Sequence, residues 1–516
     1  MMTPPSALPK EGVVGFVPPE QSGTIIIPPE GAEPPSSPNP ERSPASPISP
    51  DTFSSTIPPH TSGSDGVQAS PPPNAPIPIG NPWPKRIIII FIFLILVIGA
   101  FFGGRTLVDI LAQNKEVTIT YWGLWENDAI IRPIIDEFES KNPKIKVVYS
   151  KQSHRQYRER LSNAIERGEG PDVFRYHNTW LFMLAKDIAP VPATVMTPQE
   201  FASTFYAVAA RDLVAGQTIY GIPLMIEGLG LYYNEDIFAA AGVTAPPTTW
   251  PELLSIIPRI AKRDGNSFSV AAIALGTTNN IENFSDIISL LFMQNGASLV
   301  TPTGQEAEET LAFYRRFATA TDPVYTWNET MDNSMYAFAT GKTAMILAPS
   351  WRAFDIKEMN PNLRFKIVPV PQIPGKTVTW ASYWVEGVNA KSKNQQAAWE
   401  FLKFMTSRES AMKLYSEEAK IRLFGEPYAR IDLGAQLTSD PFVGAYISQA
   451  KDAQSFPLAS RTFDNGMNDQ MIKYLENAVN ALGQGSSPQS ELETMSQGFK
   501  QVLTKYGAVS SSATTQ

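Results

Sequence analysis

Val117-Thr118-Ile119-Thr120-Tyr121-Trp122 alternates β-branched and aromatic residues and stops at Gly123, the pattern of a strand with one buried face. Asn127 and Asp128 follow as capping residues, and Ile131, Ile134, Ile135 and Phe138 then recur on one helical face until Asn142-Pro143 breaks the run. A second strand is predicted from Ile145 to Tyr149. Tyr157, Leu161 and Ile165 mark the next helix, Gly168, Gly170 and Pro171 end it, and Asp172-Val173-Phe174 is short and apolar enough for a third strand. Strands alternating with helices predict an α/β fold built on a parallel sheet with helices on both faces.

In an open sheet of this kind, ligands bind beyond the carboxyl ends of the strands. Here those ends carry Trp122, Trp125 and Glu126 after the first strand, and Arg175, His177, Asn178 and Trp180 after the third. A flat aromatic ring suits the C–H face of a sugar, while Glu, Asn and Arg side chains bond its hydroxyls. Any single tryptophan serves as readily in a core. The signal is the gathering of several at one sheet edge.

The residues beyond 104 exceed what one hydrophobic core usually supports, which predicts two lobes with a cleft between them. A formal charge of −8 and the absence of any Lys/Arg-rich run argue against a nucleic-acid partner. The chain has no cysteine, which excludes disulfides, thiolate metal sites and cysteine nucleophiles. Its three histidines, His60, His154 and His177, are a poor basis for a metal site or a Ser-His-Asp triad. No metal or cofactor is expected.

Residues 87–104 contain no charged or strongly polar side chain. A helix of that length spans about 27 Å, close to the hydrocarbon thickness of a bilayer. Lys85-Arg86 precede it and only Arg105 follows, which puts the N-terminus in the cytoplasm. Too many residues come before it for an ordinary cleaved signal. The segment is therefore read as a single-pass signal anchor, with 105–115 a linker and the rest extracellular or periplasmic. Residues 1–86 hold more than half of the 45 prolines and few large apolar side chains, the composition of a disordered cytoplasmic tail. Residues 507–516 are read as a disordered C-terminus. Met467, Met471, Leu475 and Leu482, and then Leu492, Met495, Phe499 and Leu503, share helical faces and are read as core.

The stretch from Tyr220 to Leu254 is the most specific: Tyr220-Gly221-Ile222-Pro223, then Glu227-Gly228-Leu229-Gly230-Leu231-Tyr232-Tyr233-Asn234, Ala241-Gly242-Val243 and Pro247-Thr248-Thr249-Trp250-Pro251-Glu252. It is followed in order by Phe338-Ala339-Thr340-Gly341-Lys342-Thr343-Ala344-Met345 with Pro349-Ser350-Trp351, by Pro369-Val370-Pro371, and by Gly387-Val388-Asn389-Ala390 with Ala397-Ala398-Trp399. Together these resemble the extracellular solute-binding proteins of ABC importers, in particular the carbohydrate-binding family that includes maltose-binding protein. The likeness covers roughly 116–506. It implies a two-lobed periplasmic-binding-protein fold, a class II-like venus flytrap with two parallel-sheet lobes: one of about 116–226 and 370–412, the other of about 230–366 and 415–506. It implies a monomer that holds a carbohydrate between the lobes and presents it to an ABC permease in the membrane, with no bond broken.

Carried over position by position, Glu227 lies at the first crossover and faces the cleft as a hydroxyl acceptor. Trp351 matches the stacking tryptophan, and Arg352 beside it would donate to hydroxyls or close a salt bridge. Ser382-Tyr383-Trp384 stands where many relatives carry a glycine pair, so Tyr383 and Trp384 would narrow the pocket. Trp122, Trp125 and Trp180, of which one or two are expected to bind, complete the candidate ligand set together with Asn178. Trp250 and Trp399 are read as core. Two other classes compete: a glycan-active enzyme using paired carboxylates such as Glu126 and Glu227, and a sugar-sensor ectodomain signalling through the tail. Glycerol phosphodiesters, polyamines and metal ions are alternative solutes among proteins of this architecture.

Overall fold

The computed structural model describes residues 116–509 except Asn266, together with Phe91, Phe93, Leu94 and Ile98. The expected tail, the linker 105–115 and all but these four residues of the expected anchor 87–104 lie outside the described residues. The four are helical and exposed. Among the described residues no helix is long and apolar enough to cross a membrane.

The first lobe forms as its local pattern dictates. Strand Val117–Gly123 runs parallel to Ile145–Lys151 and to Val173–His177, with Ile119 and Tyr121 buried. Helix Asp128–Lys141 between the first two is capped by the Asn127 side chain, which accepts from Ile130 N, and buries Ile131, Ile134, Ile135 and Phe138. The sheet has five strands, in the order Ile145–Lys151, Val117–Gly123, Val173–His177, Trp384–Val388, Ile222–Pro223. Trp384–Val388 is antiparallel to both its neighbours. The parallel sheet read from the sequence is thus a mixed one, because this strand re-enters from the other lobe rather than through a helical crossover.

The second lobe departs further from the expected parallel sheet. Gly230–Asn234 is flanked on both sides by antiparallel strands, Met345–Ala348 and Phe365–Val368. Residues 271–274 lie parallel beside 343–345. Helices Met467–Gly483 and Pro488–Lys505 pack on this lobe and bury Met467, Met471, Leu475, Leu492, Met495, Phe499 and Leu503. Leu482 is only partly buried.

Three chain segments pass side by side between the lobes. Ser382 N donates to Glu227 O, Ile226 N donates to Pro427 O, and Gly228 bridges to Ala381. Glycine is required at 228 by proximity, since a Cβ there would stand 2.1 Å from Trp380 O. Residues 370–378 remain bonded to the second lobe, through Gln372 N to Thr248 O and Gln294 Nε2 to Pro371 O and Val378 O. The return crossing therefore falls at about 379–383, later than the boundary near 370 taken from the resemblance. Helix Arg408–Ala419 stays on the first lobe, where Lys413 pairs with Glu137.

Candidate functional site

Both lobes and the crossing segments line one cavity of about 320 Å³. Its first wall is the loop after strand Val117–Gly123. Tyr149 Oη donates to Glu126 O and Lys151 Nζ to Trp125 O, which fixes the loop and turns Trp125 into the cavity. The Glu126 side chain points the other way, into the sheet. Arg175 Nη1 bonds both of its oxygens at 2.7 Å, and Arg175 Nε bonds Glu386 at 2.6 Å, directly across the strand pair. All three are buried. Burial alone would raise the Glu126 carboxyl, but Arg175 overrides it and holds the group low. The Glu126/Glu227 carboxylate pair expected for an enzyme is therefore not assembled, because Glu126 is bound to Arg175 and does not line the cavity.

Of the nine predicted ligand residues, Glu227, Trp351, Trp125 and Trp384 line the cavity. Trp384 meets Trp125 edge to face at 5.4 Å and His177 at 5.1 Å. Trp180 does not reach the cavity; it is fully buried beneath Trp384, with ring centroids 5.3 Å apart. Tyr383 and Asn178 are likewise behind the wall, both bonded to Asp212. Neighbours on a strand face opposite ways, so the turn of Trp384 to the cleft sends Tyr383 into the core. Trp122 lies within the strand, in register with Ser150 and Phe174, and is not part of the lining. Arg352 is buried and ion-paired to Asp355 and Glu282, with its guanidinium 4.3 Å from the Trp351 ring centroid. It supports that ring from below instead of contacting the cavity.

Glu227 sits at the hinge of the crossing. Its carboxyl accepts from Ser350 N and Gly228 N at 3.1 Å and from Ser350 Oγ. Burial nevertheless pushes it up to about 8, so the group is a neutral acid at pH 7. Asp286, also in the lining, is likewise raised by burial although Trp380 Nε1 (2.9 Å) and Ser460 N donate to it. Arg422 is paired with Glu418 and Glu426, and Arg461 with Glu282. Burial drives His177 down to about 3. The lining thus combines aromatic rings, hydrogen-bonding side chains that include the buried carboxyls of Glu227 and Asp286, and arginines that are already ion-paired. Among the described residues no group of three His, Cys, Asp or Glu side chains could hold a metal ion.

Much of the cavity was not foreseen. Arg461, Thr462 and Phe463 line it from the loop before helix Met467–Gly483, with Phe463 packed on His154 at 4.9 Å. Arg461, Phe463 and Asn465 all have left-handed backbone, at φ of 58°, 53° and 45°. Such conformations in non-glycine residues persist where surrounding structure enforces them, and they cluster at functional sites. No sequence pattern announces them. Trp380 and Phe354 add to the apolar lining; a further tryptophan just ahead of Tyr383-Trp384 was the one available hint.

The description "Bacterial extracellular solute-binding protein" matches residues 123–412, more than half of the chain. A multiple sugar-binding protein of Streptococcus mutans is 25% identical over 319 residues, covering 59% of this chain and 75% of the relative. The solved cyclic α-maltosyl-1,6-maltose binding protein of Arthrobacter globiformis aligns with a TM-score of 0.62 at 18% identity, covering 76% of this chain and 100% of that one. The sugar-binding protein MalE of Xanthomonas citri aligns at 0.60 and 20% identity, covering 76% and 98%. These structures share the two-lobed α/β architecture described above. With the family match over most of both lobes and the cleft between them, the chain belongs to the bacterial extracellular solute-binding proteins.

Proposed function

We propose that this chain captures a neutral saccharide in the interlobe cavity and delivers it to the permease of an ABC importer, held at the extracellular or periplasmic face of the cell membrane by residues 87–104. The observation that carries the reading is the cavity wall: Trp125, Trp351, Trp384 and Phe463 offer ring faces and edges, the arginines beside them, Arg422 and Arg461, are ion-paired within the protein, and the Asp286 carboxyl is held by Trp380 and Ser460. Apolar ring faces match the C–H surfaces of a pyranose, and neutral hydrogen-bonding groups match its hydroxyls without leaving a charge uncompensated. A volume of about 320 Å³ suits a small saccharide. The relatives named above are binding proteins, and the enzyme reading lacks its carboxylate pair. A hinge between lobes makes closure around solute the signal that a permease would read. Tethering would keep the receptor at high effective concentration beside that permease.

Thermal unfolding of the full chain in a sugar-free detergent, against maltooligosaccharides, polyamines and glycerol phosphodiesters, tests the reading. A ligand that binds only the folded state raises the midpoint by mass action. A saccharide is expected to do so, and Trp384→Ala is expected to weaken it about 10-fold or more, as loss of an aromatic contact implies. A shift with polyamines alone, or with no member of the panel, overturns the assignment.

A further inference from the structure

A chain of hydrogen bonds crosses from the second lobe to the cavity, and its direction can be read bond by bond. Asn468, fully buried at the start of helix Met467–Gly483, accepts from Ala459 N through Oδ1 at 3.0 Å. Its Nδ2 donates to Asp464 Oδ2 at 2.9 Å and to Thr179 Oγ1 at 2.8 Å. The amide cannot be exchanged end for end, since that would set donor against donor at Ala459 and acceptor against carboxylate at Asp464. Thr179 Oγ therefore accepts from Asn468, which leaves its own proton free for His177 Nδ1, 2.8 Å away. The backbone N–H of Thr179 points at the same nitrogen. A backbone N–H can only donate, so Nδ1 carries no proton, the Thr179 hydroxyl also donates to it, and the neutral imidazole is protonated on Nε2. That nitrogen lies 3.1 Å from Ser382 Oγ, which must accept. The Ser382 proton is left for the cavity, which Ser382 and His177 both line.

We propose that Ser382 is a specificity-determining donor, committed to giving its proton to the ligand by the positioning residues His177, Thr179 and Asn468. The cavity then selects solutes that set an acceptor oxygen against Ser382, such as a ring, glycosidic or hydroxyl oxygen of a saccharide. Thr179 and His177 belong to the first lobe, Asn468 to the second and Ser382 to a crossing segment. The polarity of the site is thereby set from both sides of the cleft. The ligand half of the inference rests on the saccharide reading; the proton assignment does not.

Imidazole ¹⁵N NMR of the full chain tests the proton directly, because only three histidines contribute and His177→Gln assigns the signal. At pH 7 His177 is expected as the Nε2–H tautomer. The Nδ1–H tautomer or an imidazolium overturns the inference. With maltotriose as probe, Ser382→Ala is expected to bind about 10-fold more weakly, one net hydrogen bond, while Ser382→Thr keeps the donor and the affinity. His177→Gln, which still offers an N–H to Ser382, is expected to lose less affinity than His177→Met. Wild-type affinity in Ser382→Ala refutes the donor role. An Nε2–H signal in a chain that binds no saccharide refutes the proposed function and leaves the tautomer assignment standing.

Discussion

Glu227→Gln isolates the consequence of burying a carboxyl at the hinge. In the unfolded chain this group titrates near 4.5, and burial in the fold raises it to about 8. Between those values the native state holds a proton that the unfolded state has released, so stability falls as pH rises. The contribution is fully present below pH 4.5 and is lost by about pH 8. At about 1.4 kcal/mol per pH unit the whole loss is about 5 kcal/mol. Glutamine keeps the shape and cannot ionise. It can still accept from Ser350, but its amide nitrogen faces the Gly228 N–H, a lost bond costing about 1 kcal/mol. The variant is therefore expected to be about equal to wild type near pH 5, about 2 kcal/mol more stable at pH 7 and about 4 kcal/mol more stable at pH 9. Urea unfolding of both chains at the three pH values measures the difference, and other titrating groups such as Glu418 cancel between them. A difference independent of pH, or one that grows toward acid, would refute the neutral-acid assignment.

Two further changes probe the scaffold. Arg175→Met leaves Glu126 and Glu386 buried without their partner and is expected to destabilise by about 3–5 kcal/mol. Adding Glu126→Gln and Glu386→Gln should restore much of that in urea melts, and a single variant that loses under 1 kcal/mol would show that the triad does not hold the Trp125 loop. Gly228→Ala drives a methyl into Trp380 O across the paired crossing segments. Cooperative thermal unfolding within a degree of wild type would contradict the close approach; a loss of several kcal/mol is expected.

Local order was legible because it depends on neighbours within four residues. The Asn127 cap, the Ile131–Phe138 stripe and the Tyr157, Leu161, Ile165 face all formed where the periodicity put them. The family was legible because many loose motifs keep their order. Sheet direction was not, since the pairing of Trp384–Val388 with Val173–His177 joins segments some 200 residues apart and strand composition does not encode polarity. Choosing Trp384 over Tyr383 needed the register of that same strand.

What the sequence determined by itself is a two-lobed α/β solute receptor with aromatic residues near its first-lobe strand ends, together with Glu227 and Trp351 as cleft residues. Tertiary structure alone decided which of those side chains face the cavity, that Arg175 withdraws Glu126 into the sheet, and that the 461–463 loop closes the far wall. It also decided the protonation of Glu227 and His177, because a pKa responds to burial and to partners brought from distant parts of the chain, neither of which any local run of residues contains.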